Sequence, residues 1–146
     1  MIVDPKYIRE QLIKTWPRTD CRRVTLWRQG YWLISEEEIG WLIGKSDIKN
    51  MEFVPGFNDV DNFSLQFQAE VRHKRYLDWE KGHLTEEQQH PIAMAIVRGN
   101  LWQGINKGYV ANLFVCLEGV FLADIMEGTY WKADTNNDRM LDIDFR

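Results

Sequence analysis

Cysteine is nearly missing from this chain: its 146 residues hold two, Cys21 and Cys116. Two cannot build the multi-bridge framework of a small secreted domain, and reduced thiols are the expectation. Basic charge has no excess either. Lys and Arg number 18 against 22 Asp and Glu, a net charge of −4. That balance argues against a broad phosphate-binding face, and so against a nucleic-acid partner. No apolar run reaches the about 20 residues that a membrane-crossing helix needs, so no membrane partner is expected. The start, MIVDPKYIRE, has no positive segment leading into an apolar one. A secretory leader is therefore not expected, and a cytoplasmic location is. Histidine is scarce too: His73, His83 and His90 have no partner at metal-ligand spacing, which leaves no zinc site and no evident cofactor.

What the chain does have is apolar and aromatic mass. Apolar residues make up 45% of it, and seven are tryptophan. That content suits one domain, residues 1–146, with a single core. Asp4 before Pro5 is an N-cap and first-turn pair. Tyr7, Ile8, Leu12 and Trp16 then share a helical stripe that Pro17 ends. CRRVTLWRQGYWLI reads as extended, with a turn at Gln29-Gly30. Ser35 and Glu38 form a capping box for a second helix with Ile39, Leu42 and Ile43 inward. A third helix is expected from about Asp61, its N-cap, with Phe63, Phe67 and Val71 buried. It carries a basic run, RHKRY (72–76), that reads as a solvated face. Thr85 and Gln88 form another capping box. The chain then changes character: PIAMAIVRGNLW, GYVANLFVCL, GVFLADI and MLDIDF read as strands. In the last, Leu141, Ile143 and Phe145 alternate with Asp142 and Asp144. Helices first and antiparallel strands afterwards is an α+β order, with N-terminal helices packed on a sheet from the C-terminal half.

Two local constellations touch on chemistry. Asp134, Asn136 and Asp138 have the 1-3-5 spacing of a calcium-binding oxygen cage, but Arg139 stands where the sharp turn needs glycine. An Asn/Asp hairpin turn is the expectation. Cys116, in LFVCLEG, reads as a small buried core residue. Cys21 precedes two arginines, which leaves it either mildly activated or a plain turn residue.

Four stretches, YWLISEEEIGWLI, FNDVDNFSLQF, GYVANLFV and GVFLADIMEG, run in order from about residue 31 to 128. In that order they resemble the papain-like cysteine-protease domain of the MOA-related lectin family, members of which include bacterial and phage proteins. FNDVDNFSLQF is similar to the family's Phe-Asp-Cys-Asp-Asp-Phe-Ala, which opens the nucleophile helix, and GYVANLFV to its Gly-His-Ala-x-Asn. GVFLADIMEG is similar to the strand that ends in Ile-Glu-Pro-Gln. The resemblance implies a papain-like fold. Carried across residue by residue, it puts Val60 at the nucleophile position, Tyr109 at the general base and Asp124 at the acid that orients it.

A cysteine protease needs a thiolate, supplied by a helix N-terminus and an adjacent imidazolium. Val60 has no nucleophilic atom, and a phenol with an ordinary pKa near about 10 is a poor base at neutral pH. The resemblance therefore implies a degenerate site and a chain that is not an enzyme of this class. It points to a binding, structural or assembly module, with phage-virion components and host-factor binders among the forms it could take. A protein partner or self-assembly is expected, with Trp27, Trp32, Trp102 and Trp131 as possible groove or interface residues. Two alternatives stand beside this: a cysteine hydrolase with Cys116 as displaced nucleophile, and a sugar-binding module.

Overall fold

The computed structural model describes residues 1–17 and 23–146; Cys21 lies outside the described residues. The first strand, β1 (Ile2–Val3), leads into α1 (Pro5–Thr15). Asp4 caps that helix, accepting a hydrogen bond from the Tyr7 N–H at 2.8 Å. After β2 (Arg23–Leu26) and β3 (Tyr31–Trp32) comes α2 (Glu36–Lys45), with the Ser35–Glu38 capping box in place. A single 3-10 turn (Ile48–Asn50) precedes α3 (Val60–Glu80). The strands β4 (Met94–Trp102), β5 (Ile105–Cys116), β6 (Gly119–Asp124), β7 (Thr129–Lys132) and β8 (Arg139–Phe145) complete the fold. The architecture is α+β, with the early helices laid on a sheet drawn mainly from the second half.

That sheet has six strands in the order β2-β8-β4-β5-β6-β7. It is antiparallel except at one edge, where β2 runs parallel to β8. The Gln29-Gly30 turn does not close a hairpin: β3 pairs with β1 in a separate two-stranded sheet. The reason lies in Tyr31. Its buried ring meets Phe145 edge-on at 5.8 Å, and its hydroxyl accepts from the Arg28 N–H and donates to the Phe145 carbonyl. The chain is thereby carried across the end of the sheet instead of reversing in its plane.

Both faces of the sheet are covered, and the core is double. On one face, Ile8 and Leu12 of α1 and Trp16, its C-cap, share a core with Val120 and Leu122 of β6, Ala111, Leu113 and Val115 of β5, and Ile143 and Phe145 of β8. On the other, Ile39, Leu42 and Ile43 of α2 and Phe63, Phe67 and Val71 of α3 pack on Met94, Phe114, Cys116 and Phe121. Two polar side chains fasten α3 to the sheet: Gln68 donates to the Met94 carbonyl at 3.2 Å, and Asn112 to the Ser64 carbonyl at 3.1 Å. No helix among the described residues is long and apolar enough to cross a membrane.

Three details differ from the sequence reading. Leu141 is exposed and Met140 buried, because the β4–β8 register slips between Arg98 and Gly99, so that Arg98 faces Asp142 and Gly99 faces Met140. One extra residue on β8 reverses its alternation at that point. The N-cap of α3 is Asp59, whose N–H donates to Asn62 Oδ1 at 3.3 Å, and Asp61 falls inside the first turn. The Thr85–Gln88 box closes one turn, not a helix.

Gly99 sits at that register slip for a steric reason. A Cβ there would lie 2.5 Å from the Arg139 carbonyl oxygen and 2.8 Å from the Met140 methyl. Gly99→Ala is expected to lower stability by about 1–3 kcal/mol in urea denaturation, because neither the backbone nor the packed core can yield cheaply. Gly44, in the exposed face of α2 with nothing within 4 Å of a built Cβ, should respond oppositely: Gly44→Ala should gain up to about 1 kcal/mol. Equal midpoints for the two variants would contradict this packing.

Candidate functional site

The three positions singled out by the family resemblance do not form one cluster. Val60 is the first residue of α3, half-buried, one turn ahead of Ser64 on the side of the helix that meets the sheet. The Ser64 hydroxyl lies 3.5 Å from the Val110 carbonyl oxygen. On β5 the residues that face α3 are the even ones, Asn112, Phe114 and Cys116, whereas Tyr109 shares the opposite face with Ala111 and Leu113. Its ring packs edge-on against Trp102 at 5.9 Å in the α1-side core. The β5 side chain that shares the α3 face at this level is Val110.

Tyr109 and Asp124 do meet. The phenol donates to Asp124 Oδ2 at 3.0 Å, while Asp124 Oδ1 accepts the backbone N–H groups of Met126 and Glu127 at 3.1 and 3.3 Å. Lys107 Nζ stands 4.3 Å from the centre of the ring. Burial first, then the Asp124 charge and hydrogen bond and the charge of Glu127, push the phenol well above its ordinary range. A phenol held protonated against a carboxylate is a donor, not a base. The pair acts as a lock on the turn that leaves β6.

The other predicted residues are placed as follows. Cys116 is 1% exposed, at the end of β5 inside the α2–α3 core. Burial, followed by the charges of Glu118, Glu36 and Glu38, pushes its thiol far above the usual range. Trp102 is buried in the core, away from any groove, and Trp131 is half-buried against that core. Trp32 is half-buried against the second core with the Arg75 guanidinium over its ring at 5.7 Å. Trp27 alone of the four is open, at 66% exposure, with its indole N–H on Asp144 Oδ1 at 3.0 Å. Asp134, Asn136 and Asp138 form a hairpin turn. Asp138 is buried, and its carboxylate accepts from the N–H groups of Gln103 and Asp134 and from the Trp131 indole. Asp134 accepts from the Asn136 N–H and the Asn137 amide. These oxygens are spent on the turn, and among the described residues no group of three acidic, His or Cys side chains is placed to hold a metal.

What α3 leaves open is a cleft. The helix covers β4, β5 and their neighbours but not the β8–β2 edge on the same face. A hollow of about 400 Å³ lies between Asp61 and Leu65 of α3 and the strip made by Arg98, Asp142, Asp144 and Trp27. Its charges alternate and pair: Arg98 with Asp61 at 3.7 Å, and Arg146 with Asp144 at 2.8 Å. No cysteine or histidine lines it. Sequence reasoning named Trp27 but not its neighbours, because the cleft depends on the parallel β2–β8 pairing. The even-numbered charges of β8, Asp142 and Asp144, were the available signal.

No family model and no curated protein matches the chain. Solved structures do. A PSL1a–E64 complex superposes with a TM-score of 0.71 at 15% identity, covering 99% of this chain and 51% of that one. A Polyporus squamosus lectin bound to the human-type influenza-binding epitope Neu5Aca2-6Galb1-4GlcNAc gives 0.72 at 14% identity, covering 99% and 49%. The chain spans about half the length of those two structures. At such identities the likeness establishes a shared fold.

The raised Tyr109 pKa has a signed consequence. A group whose pKa is higher folded than unfolded stabilises the folded state below the unfolded value and loses that contribution as pH rises through the folded one. The unfolded phenol titrates near pH ~10. Stability should therefore fall as pH climbs beyond that value, and Tyr109→Phe should flatten the fall. Urea midpoints taken across that range check it; identical slopes for wild type and variant would refute the Tyr109–Asp124 lock.

Proposed function

We propose that the chain is a papain-like-fold domain without catalytic chemistry that works by binding a protein partner, and that the cleft beside the head of α3 is where it binds. The observation that carries this reading is the hydrocarbon at that head. Val60 opens the helix at the nucleophile position that the resemblance implies, and Tyr109, at its general-base position, is turned to the other face of β5 with its proton on Asp124. A thiolate–imidazole pair needs a sulfur and a ring nitrogen in those places. Cys116, the displaced-nucleophile alternative, is enclosed in the core with its thiol pushed away from ionisation, the reverse of what a reactive cysteine requires.

The cleft has the composition of a binding surface. An open tryptophan, arginines and carboxylates at its rim offer a rigid aromatic contact and several donors and acceptors. An assembly role, including a place in a virus particle or on a host factor, is a finer form of the same reading. Size-exclusion chromatography of the full chain, and its presence or absence in purified particles, bear on that form directly.

A second reading has one observation in its favour. The exposed indole of Trp27 lies beside the Asp144 carboxylate, and one of the fold neighbours is a lectin bound to a sialylated epitope. Sugar binding at the same cleft predicts glycan-array signals that disappear with Trp27→Ala; a blank array removes it.

Two outcomes test the main reading. In a Cys21→Ser background, Cys116 should react with a thiol reagent at neutral pH orders of magnitude more slowly in the folded chain than in urea. The chain should also leave a peptide library uncut. Fast native labelling together with cleavage that Cys116→Ala abolishes would establish the hydrolase instead.

A further inference from the structure

The second half of α3 carries a different cleft, lined by a separate set of residues. It has a volume of about 420 Å³ and opens between α3 and the segment 84–92, a size suited to a small molecule. Arg28, Arg72 and Arg75 line it together with His90, and no carboxylate does. In a chain of net charge −4, that is a local inversion of sign. The RHKRY run is therefore not simply a solvated face.

The arginines are in different states. Arg75 is a strut: it donates to the Gln88 carbonyl at 2.6 Å and the His90 carbonyl at 3.4 Å, which binds the 84–92 segment to the helix. Arg72 is half-buried and makes no hydrogen bond or close ion pair among the described residues. Burial first, then the nearby Arg28 charge, disfavours its cation; Tyr31 offsets them in part, Arg146 adds to them, and Asp144 offsets them least. A half-buried guanidinium without a partner is costly, and its planar fork suits a carboxylate or phosphate. One wall of the same cleft is aromatic. Tyr76 and Trp79 lie 5.8 Å apart and are both about half exposed.

We propose that this cleft binds a small organic anion, its carboxylate or phosphate received by Arg72 and Arg28 and its aromatic or apolar body laid against Tyr76 and Trp79. The site is independent of the protein-binding reading, since it uses none of the residues of the head cleft.

Calorimetric titration of the full chain tests it with four probes: phenyl phosphate, benzoate, inorganic phosphate and neutral benzyl alcohol. Phenyl phosphate or benzoate should bind more tightly than inorganic phosphate and than benzyl alcohol, and binding should weaken with added salt. Arg72→Gln should weaken the aryl anions by roughly ten-fold or more, the worth of a charged hydrogen-bonded contact. Trp79→Ala should weaken phenyl phosphate more than inorganic phosphate. Arg98→Gln, which removes a cation from the other cleft, should leave both unchanged. If Arg72→Gln fails to fold, Arg28→Gln, at an exposed position, takes its place. No heat with any anion at millimolar concentration overturns the proposal, as does equal weakening by Arg98→Gln or undiminished binding by both cleft variants.

Discussion

A sheet covered on both faces is the constraint from which the rest of the molecule follows. The middle of β5 has core on each side: Ala111, Leu113 and Val115 lie in the core that α1 closes, and Asn112, Phe114 and Cys116 face the side of α2 and α3. Strands so placed cannot carry charges along their length, because a charge without partners in such an interior is too costly. Polar chemistry is driven to the ends of the strands and to a strip beside α3 along β8 and β2. That strip is where the charged residues Asp142, Asp144 and Arg146 appear. The buried polar groups that remain are fasteners. Asn112 and Gln68 tie α3 to the sheet, and Asp138 gathers three N–H donors to close the turn before β8.

The same constraint decides which features could be read from the amino-acid order. Helices announced themselves through local signals. Asp4 with Pro5, Ser35 with Glu38, and the Phe63–Phe67–Val71 stripe each act within a turn or two, and the structure uses all of them. The long strands were legible as apolar runs. Which face each side chain of β5 takes was not, since a strand buried on both sides has no alternation to read. For that reason Tyr109 could be placed beside Val60 from sequence, while the structure turns it to the α1 side. The parallel β2–β8 edge, the short β7 and the slip at Leu141 were equally hidden, because each depends on pairing with distant residues.

Tyr109 and Asp124 show how a phenol and a carboxylate in contact can serve a turn. A histidine between a thiol and a carboxylate must pass a proton. The tyrosine here gives its proton to a hydrogen bond with Asp124, and that carboxylate at the same time organises the turn at Met126 and Glu127. The arrangement fixes the exit from β6 and leaves no free base. The pairing is structural, and its energetic reference is the integrity of the turn.

The length of α3 explains why two clefts exist and why they differ. The helix has 21 residues, about 31 Å at the usual rise, but its buried residues end at Val71. Beyond that point it overhangs the sheet and exposes Tyr76, Leu77 and Trp79. At the head, cations and carboxylates alternate and satisfy one another, so the cleft presents little net field. Such a surface selects by shape and by the exchange of hydrogen bonds, as a protein interface does. At the overhang no carboxylate lines the cleft, and burial and the Arg28 charge weigh against the Arg72 cation. A charge-balanced cleft can stand open in water without penalty. A half-buried cationic one is stabilised by whatever anion enters it, and that asymmetry gives the two ends of a single helix different ligand chemistry.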